Sequence, residues 1–521
     1  MSETKVGASA PRPRGQSWIG EFKLARAAEG VMSAAILLVS LVPLARFIGI
    51  AFARVGYPFD LEWCEGGTIG HIRVVLAGQQ IYRKPSFEFT PYLYPPLYYY
   101  VAVLPSLVLG AGHLAPRLLS LVSILGFFVL LGRWVRDETG DPIAGIAAIG
   151  VFSATYQLTG FWFDIARVDA FFLFLVFASH MTARAAKTPR RAALVGALIA
   201  SACFTKQLGI PLAVPALVVL AMRRVRLGVV AGLVAGALVG GAAVALNVRS
   251  SGWFYYYVLD LPSRHEIQWY RFGSSARTYF LGVTFPMTLA GVAILCGSGF
   301  GRSQRKAWFF HALFIALACS TSFLPFLKTG GYPNGLIPAY AALALASGLG
   351  VGALRRARFA SALGTVGPRL LACLVLVIQY EVLDYDPKDA LPTAADLTAN
   401  QKVVARLERL PKPIFVTGSS YYTMMAGQEG VMTDTMGLID IFKGGGPEAE
   451  RLSRDLTHAF RSHRFKTIVL DRVAGFLPEN FVDLIHQEYA FGGSVLQGLP
   501  PDVIWPKSGF PIRPDTVWVA R

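Results

Sequence analysis

Charge is what this chain has little of. Only 16% of its 521 residues are Asp, Glu, Lys or Arg, against 54% hydrophobic, and the mean hydropathy is +0.48. A soluble chain of this length carries more charge, and here the apolar residues come in long blocks. An ordinary soluble protein is excluded, and the class is a polytopic α-helical membrane protein. Cysteine is also scarce. Of five, Cys203, Cys296, Cys319 and Cys373 fall in apolar spans and only Cys64 lies in a polar loop, so no disulfide framework is implied. No Gly-Lys-Ser/Thr follows Gly444–Gly446, which excludes a nucleotide-type phosphate loop there. No internal repeat stands out.

The net charge of +17 raises the question of nucleic acid, but its distribution answers it. Residues 380–521 hold 15 Lys and Arg against 18 Asp and Glu, leaving 34 against 14 in the remainder. The basic excess thus belongs to the apolar part, where short cytoplasmic loops collect Lys and Arg. No nucleic-acid partner is expected.

Apolar blocks run at about 31–52, 94–111, 115–134, 142–162, 165–183, 192–222, 227–246, 278–297, 307–326, 334–354 and 359–380. Basic clusters punctuate them: Arg133/Arg136, Arg184/Lys187/Arg190/Arg191, Arg223/Arg224/Arg226, Arg302/Arg305/Lys306 and Arg355/Arg356/Arg358. The positive-inside rule places all five in the cytoplasm, so the chain crosses an even number of times between them. Block 192–222 is long for one span of roughly 20 residues and short for two. A pair of short helices turning near Thr205-Lys206-Gln207 satisfies both demands. By the same parity, 94–111 is not a full crossing; it is expected to be an outer juxtamembrane or re-entrant helix interrupted at Pro105. About eleven transmembrane helices result, with residues 1–30 a cytoplasmic tail, 31–380 the membrane domain and 53–93 its first outer loop. Arg369, inside the last apolar block, makes the start of that helix hard to place. Residues 381–521 carry soluble patterns, helical at 398–410 and 448–463 and strand-like at 413–418 and 466–472, and read as a small outer α/β domain.

Function concentrates in the outer loops. Residues 57–100 place Asp60, Glu62 and Glu65 within six positions, with His71 and Arg73 beyond, before a Tyr-Pro-Pro-Leu-Tyr-Tyr run. Acids at a membrane edge are costly unless they serve chemistry or binding. The second loop adds Asp164, Arg167 and Asp169, the third Lys206. The fourth, 247–277, holds aromatic residues with Arg264, His265, Arg271 and Arg277, and the fifth Lys328, Tyr332 and Asn334. Carboxylates from separate loops can supply a general base, cations can hold a phosphate, and rings can stack on sugar faces. Each has a plainer reading. A lone acid at a helix end is a cap, Lys206 could snorkel to the interface, His71 and His265 could be loop structure, and Tyr98–Tyr100 could be an aromatic belt. Acid pairs allow a divalent metal, but the first loop has no His-x-x-x-His or Cys/His set, and none is expected.

In order along residues 30–380, several segments are similar to the GT-C superfamily of membrane glycosyltransferases. They are DLEWCEGG at 60–67, Gly-Gln-Gln-Ile-Tyr at 78–82, the Tyr-Pro-Pro run with Tyr94, Arg117-Leu118, Ala166-Arg167-Val168-Asp169, Thr205-Lys206-Gln207 and Asn334–Pro338. The chain most resembles the bacterial protein mannosyltransferase-like, aminoarabinose- and galacturonosyltransferase-like branch. The resemblance implies transfer of a sugar from a polyprenyl-phosphate donor to a glycan, lipid or protein acceptor at the outer membrane face, with inversion. The family's Asp-Glu pair appears here as Cys64-Glu65, so Glu65 is the nearest match for the base, with Asp60 and Glu62 as competitors. Asp169 matches the second-loop acid, and Lys206 a position suited to the lipid phosphate, with help expected from an arginine of 264–277. Glu65 and Asp169 are expected to meet in one cavity beside the 94–111 helix. Arg73, Arg167, Arg264, His265, Tyr94 and Asn334 are further candidates for substrate binding. A transporter or flippase, and a non-catalytic scaffold with an outer binding domain, are the competing classes. A lipid-linked polymerase or ligase is a related enzyme reading. A transporter would place its charges within spans and often shows repeats; a scaffold would tolerate loss of Glu65 and Asp169.

Overall fold

A computed structural model describes residues 14–282, 305–357, 364–419, 421–428, 435–471 and 477–521. The membrane part is helical: α1 (Arg14–Arg54), α2 (Glu65–Leu76), α3 (Leu97–Leu109), α4 (Leu114–Thr139), α5 (Pro142–Ala154), α6 (Asp169–Ala185), α7 (Pro189–Cys203), α8 (Gly209–Arg223), α9 (Val225–Arg249), then short turns through Gly282, followed by α10 (Arg305–Phe326), α11 (Ile337–Arg356) and α12 (Val366–Val382). Helix α11 is buried from Ile337 to Gly352. Small residues allow this: a Cβ on Gly348 would stand 2.6 Å from that of Ala148, so the backbones of α11 and α5 approach closely. An aromatic cluster of Phe47, Phe128, Phe152, Tyr156 and Phe163 fills the space between α1, α4 and α5.

Five helices among the described residues are long and apolar enough to cross a membrane, or six if the bent pair Val366–Val382 and Pro387–Glu408 is one span. The chain is a multi-pass membrane protein, and the expected eleven crossings stay uncounted. Most of block 278–297 lies outside the described residues. The expected short pair is present as α7 and α8, with Phe204–Leu208 as the turn. Helix α3 corrects one expectation: it runs unbroken through Pro105. At about 1.5 Å per residue, its 13 residues are too short to cross. Its start is tied to the α7–α8 turn by the Leu97 amide on the Phe204 carbonyl. Arg369 finds Glu29 at 3.4 Å and so belongs inside α12.

The described residues of the basic clusters gather at one end of the bundle. There Arg355 pairs with Asp141 and Arg184 with Glu138. The loops rich in acids and aromatic residues gather at the other end, under the α/β domain. That domain comprises α13 (Ala394–Glu408), β1 (Ile414–Val416), α14 (Thr435–Gly444), α15 (Pro447–Arg461), β2 (Thr467–Asp471), α16 (Glu479–Glu488), β3 (Tyr489–Ser494) and β4 (Pro514–Ala520). Its sheet has the order β1-β2-β4-β3; β1 and β2 are parallel, with Ile414 opposite Thr467, and β4 is antiparallel to both its neighbours. A Thr393/Asp396 capping box starts α13, whose Ala399, Val403 and Leu407 pack on the sheet. The domain sits on the loop end through Asn400 to Tyr57 (2.9 Å), Arg464 to Glu88 (2.6 Å) and Ser508 to the Leu61 carbonyl (3.0 Å).

Candidate functional site

The three acids of the first loop go to three different places. Glu65 opens α2 and is fully buried. It accepts from Arg117 Nε (2.9 Å) and Nη2 (2.6 Å), and from the amides of Leu61 (2.7 Å), Glu62 (3.3 Å) and Ala166 (2.7 Å). Burial pushes its carboxyl up, but the Arg117 charge and these hydrogen bonds outweigh it and hold the pKa at about 2. A carboxylate so saturated is a poor proton acceptor. Glu65 ties the first loop to α4 and the 160–168 loop, an arrangement that competes with its expected role as the base.

Asp60 pairs with His113 at 2.6 Å, and burial raises its carboxyl pKa while His113 opposes that. Asp60, Glu65 and His113 present ligand atoms within 4.8 Å of one another. They do not fit a resident cation, because Arg117 already supplies the counter-charge at Glu65. His71 is structural. Its Nδ1 meets the Gly67 carbonyl at 2.6 Å and its Nε2 accepts the Tyr92 amide at 2.9 Å. Burial lowers its pKa to about 4, which keeps the ring neutral and able to accept.

Glu62 is the acid that enters a cluster. It is buried, accepts the Cys64 amide at 3.1 Å and lies 3.9 Å from Arg167 Nε. Burial works against the Arg167 charge, but Glu62 outweighs it and keeps the guanidinium protonated. Aromatic faces surround that guanidinium: Tyr92 at 5.5 Å, Tyr94 at 5.6 Å and Trp162 at 5.3 Å. Arg167 reaches the Tyr94 hydroxyl at 3.4 Å, and its Nη1 has no hydrogen-bond partner among the described residues.

Asp169 lies beyond Trp162. As the first residue of α6 it benefits from the positive end of the helix. It accepts from Lys206 Nζ (2.6 Å), Trp162 Nε1 (2.9 Å) and Asn334 Nδ2 (3.3 Å to each oxygen). Lys206 sits in the α7–α8 turn, 6.0 Å from the Tyr94 ring. Burial disfavours its charge, but Asp169 outweighs that and holds its pKa above the usual value. Gln207 pins this turn to the carbonyls of Leu93 (2.6 Å) and Val258 (3.0 Å). Asp164 is structural, clamped by Arg54 at 2.6 and 2.9 Å.

Of the expected binding residues, Arg167, Lys206, Tyr94 and Asn334 meet in this cluster. Arg73, Arg264 and His265 do not: Arg73 bonds the Ala111 carbonyl, Arg264 pairs with Asp260 at 2.6 Å, and His265 faces Asp440 at 3.8 Å. The arginine beside Lys206 is thus Arg167 rather than one from 264–277. Trp162 was missed, though it stands seven residues before Asp169, two helical turns in a segment that proves to be loop. Tyr332 meets Trp162 at a tilt, with centroids 5.0 Å apart, and also lines a cavity of about 320 Å3 with Gln157, Leu158, Tyr279 and Leu383.

This helical architecture has known counterparts. The ArnT structure from Cupriavidus metallidurans bound to undecaprenyl phosphate aligns over 91% of this chain and 97% of that one, at 13% identity and a TM-score of 0.52. Its apo form aligns over the same shares at 12% identity and 0.53. The chain has the fold of these ArnT structures. At this identity the likeness shows the fold alone. No protein-family model and no curated protein matches the sequence. The acid and cation cluster lies at the loop end of the bundle, beneath the α/β domain.

Proposed function

We propose that this protein is a glycosyltransferase that moves a sugar from a polyprenyl-phosphate donor to an acceptor at the outer face of the cell membrane, with inversion. The observation that carries the reading is the pairing of two buried cations, Arg167 and Lys206, with two buried carboxylates, Glu62 and Asp169, under a wall of aromatic rings. The donor phosphate would be held by Arg167 Nη1 and Lys206 Nζ, and both charges would stabilise the phosphate monoester as it leaves. Glu62, the first-loop acid that faces Arg167, takes the proton of the acceptor hydroxyl or amine. As the acceptor atom bonds to the anomeric carbon, the bond from that carbon to the phosphate oxygen breaks on the opposite face, giving inversion. The polyprenyl phosphate departs with the bonding electrons. Asp169 holds Lys206 in place. Tyr94 and Trp162 offer stacking faces for the sugar ring.

In this orientation the loop end and the α/β domain, residues 381–521, face outward, and the basic end faces the cytoplasm. The full-length protein, purified in detergent, is tested against a panel of undecaprenyl-phosphate sugars, with release of undecaprenyl phosphate as the readout. Envelope glycans of a deletion strain are compared by mass spectrometry to find the sugar and acceptor. An unchanged glycan profile, together with no consumption of any donor, would sink the reading.

A further inference from the structure

We propose that the strap 504–512, which leads into β4 of the α/β domain, is a positioning element of the membrane site, acting through Tyr332. The proposal rests on the functional reading above and gives the α/β domain a part in it. The strap reaches the site at three consecutive residues. The Ser508 amide donates to the Leu61 carbonyl at 3.0 Å, and Ser508 forms a parallel bridge with Glu62. The Gly509 amide donates to the Tyr332 hydroxyl at 3.0 Å. The Phe510 ring meets Trp63 edge-on at 5.3 Å and Tyr332 at 6.2 Å.

Gly509 has φ +82°, and a Cβ there would lie 2.1 Å from the Trp63 ring and 3.0 Å from Glu62 Oε1. Only glycine allows the strap to lie this close to the acid. The strap is also stiff. Ile504, a β-branched residue, is held at φ +57° with its amide on Asp396 at 2.8 Å. Lys507 reaches Asp396 at 3.1 Å. Arg513 lies 3.9 Å over Trp505 and donates to the carbonyls of Pro501 (2.9 Å) and Val503 (2.6 Å). The space behind the strap, about 20 Å3, holds no more than a water or so.

Such rigidity has a use at Tyr332. One side of its ring faces Trp162, whose indole N–H holds Asp169, and it also walls the neighbouring cavity. The Gly509 amide fixes the hydroxyl of that ring. The strap therefore sets how Trp162 and Asp169 stand, without touching the donor cations.

Two variants of the full-length protein test this. Tyr332→Phe keeps the ring and removes the acceptor of the Gly509 amide; Gly509→Ala pushes the strap off Trp63. Backbone hydrogen exchange in 160–169 should rise in both. Turnover at saturating donor should fall about 5-fold or more, as small misplacements at a reacting centre do. Undecaprenyl phosphate affinity, read by tryptophan fluorescence, should stay within about 2-fold. The double variant should be no slower than Gly509→Ala alone, because both act on one contact. Unchanged exchange in 160–169 in both variants would overturn the proposal, as would turnover losses that multiply. If the native protein consumes no polyprenyl-phosphate sugar, the functional reading fails by itself, and the exchange experiment still decides whether the strap positions the loop. Should Gly509→Ala fail to fold, Tyr332→Phe decides alone.

Discussion

Replacing Glu65 by Gln should cost this protein its stability rather than a catalytic base. The side chain is fully buried and its two oxygens receive five donors from three parts of the chain. Glutamine keeps one oxygen and turns an NH2 group toward donors, so at least two N–H groups lose their partner. Arg117 loses its counter-charge and one of its two bonds to residue 65, and keeps the other with the carbonyls of Tyr57 and Phe59. Breaking a buried ion pair by removing one partner costs about 3–5 kcal/mol. An independent route gives a similar size. Glu65 is lowered from 4.5 to about 2, which corresponds to about 3 kcal/mol of preference for the ionised form in the folded state. Domains are stable by only about 5–15 kcal/mol, so a loss of this size is severe.

The assay is the amount of full-length protein in membranes and its unfolding midpoint in detergent, for native protein, Glu65→Gln, and Glu65→Leu combined with Arg117→Leu. The single variant should be poorly retained and unfold early; the double variant, which leaves no lone buried charge, should recover part of the loss. The pH dependence has a definite sign. Because the folded pKa is depressed, this stabilisation is complete above about 4.5 and disappears as pH falls toward about 2, and Glu65→Gln should lack that acid limb. A Glu65→Gln protein with native abundance and midpoint but turnover down 100-fold or so would refute the reasoning and return the base to Glu65.

Four other outcomes are expected. Glu62→Gln, compared at equal amounts of folded protein, should lower turnover about 100-fold or more, the range for loss of a general base; native turnover would remove Glu62 from the chemistry. Lys206→Ala should weaken undecaprenyl phosphate binding about 10-fold, since a charge-assisted contact is worth roughly 1.5–3 kcal/mol; unchanged titrations would leave Lys206 as an interface anchor. Arg167→Lys should bind donor less well despite equal charge, because a point charge does not reproduce the planar stack among Tyr92, Tyr94 and Trp162; equal affinity would argue against phosphate contact. Cysteines at the exposed positions Gln79 and Glu450 should react with impermeant reagents in intact cells while one at Arg190 does not, and the opposite pattern would invert the proposed orientation.

The membrane part was legible because its signals are coarse. Block lengths and basic clusters were enough to find α7 and α8 as a short pair and α3 as a helix too short to cross. The strands at 414–416 and 467–471 were legible as short β-rich runs between helical patterns. Pro105 misled, because a proline removes one hydrogen bond but need not end a helix whose neighbours hold it. Within the site, the set Arg167, Asp169, Lys206 and Asn334 was visible as polar residues at helix ends. What was hidden was how the acids divide the work. That division depends on Arg117, which reads in the sequence as the start of a helix, and nothing local marks it as Glu65's partner 52 residues away.

The same chemistry that hides the division also explains it. Three carboxylates within six residues repel one another, and a loop end this buried cannot leave them all unpaired. Each meets a different basic side chain. Arg117 grips Glu65 in a bidentate pair, His113 meets Asp60, and Arg167 stands off from Glu62 at 3.9 Å, still paired electrostatically but without close hydrogen-bonded contact. The first arrangement is a rivet and fixes the backbone around it. The last leaves a charged guanidinium whose Nη1 has no protein partner among the described residues. The backbone carrying Glu62 and Glu65 is held by Glu65 at Leu61, Glu62 and Ala166. The rivet at Glu65 thereby fixes where Glu62 stands relative to Arg167.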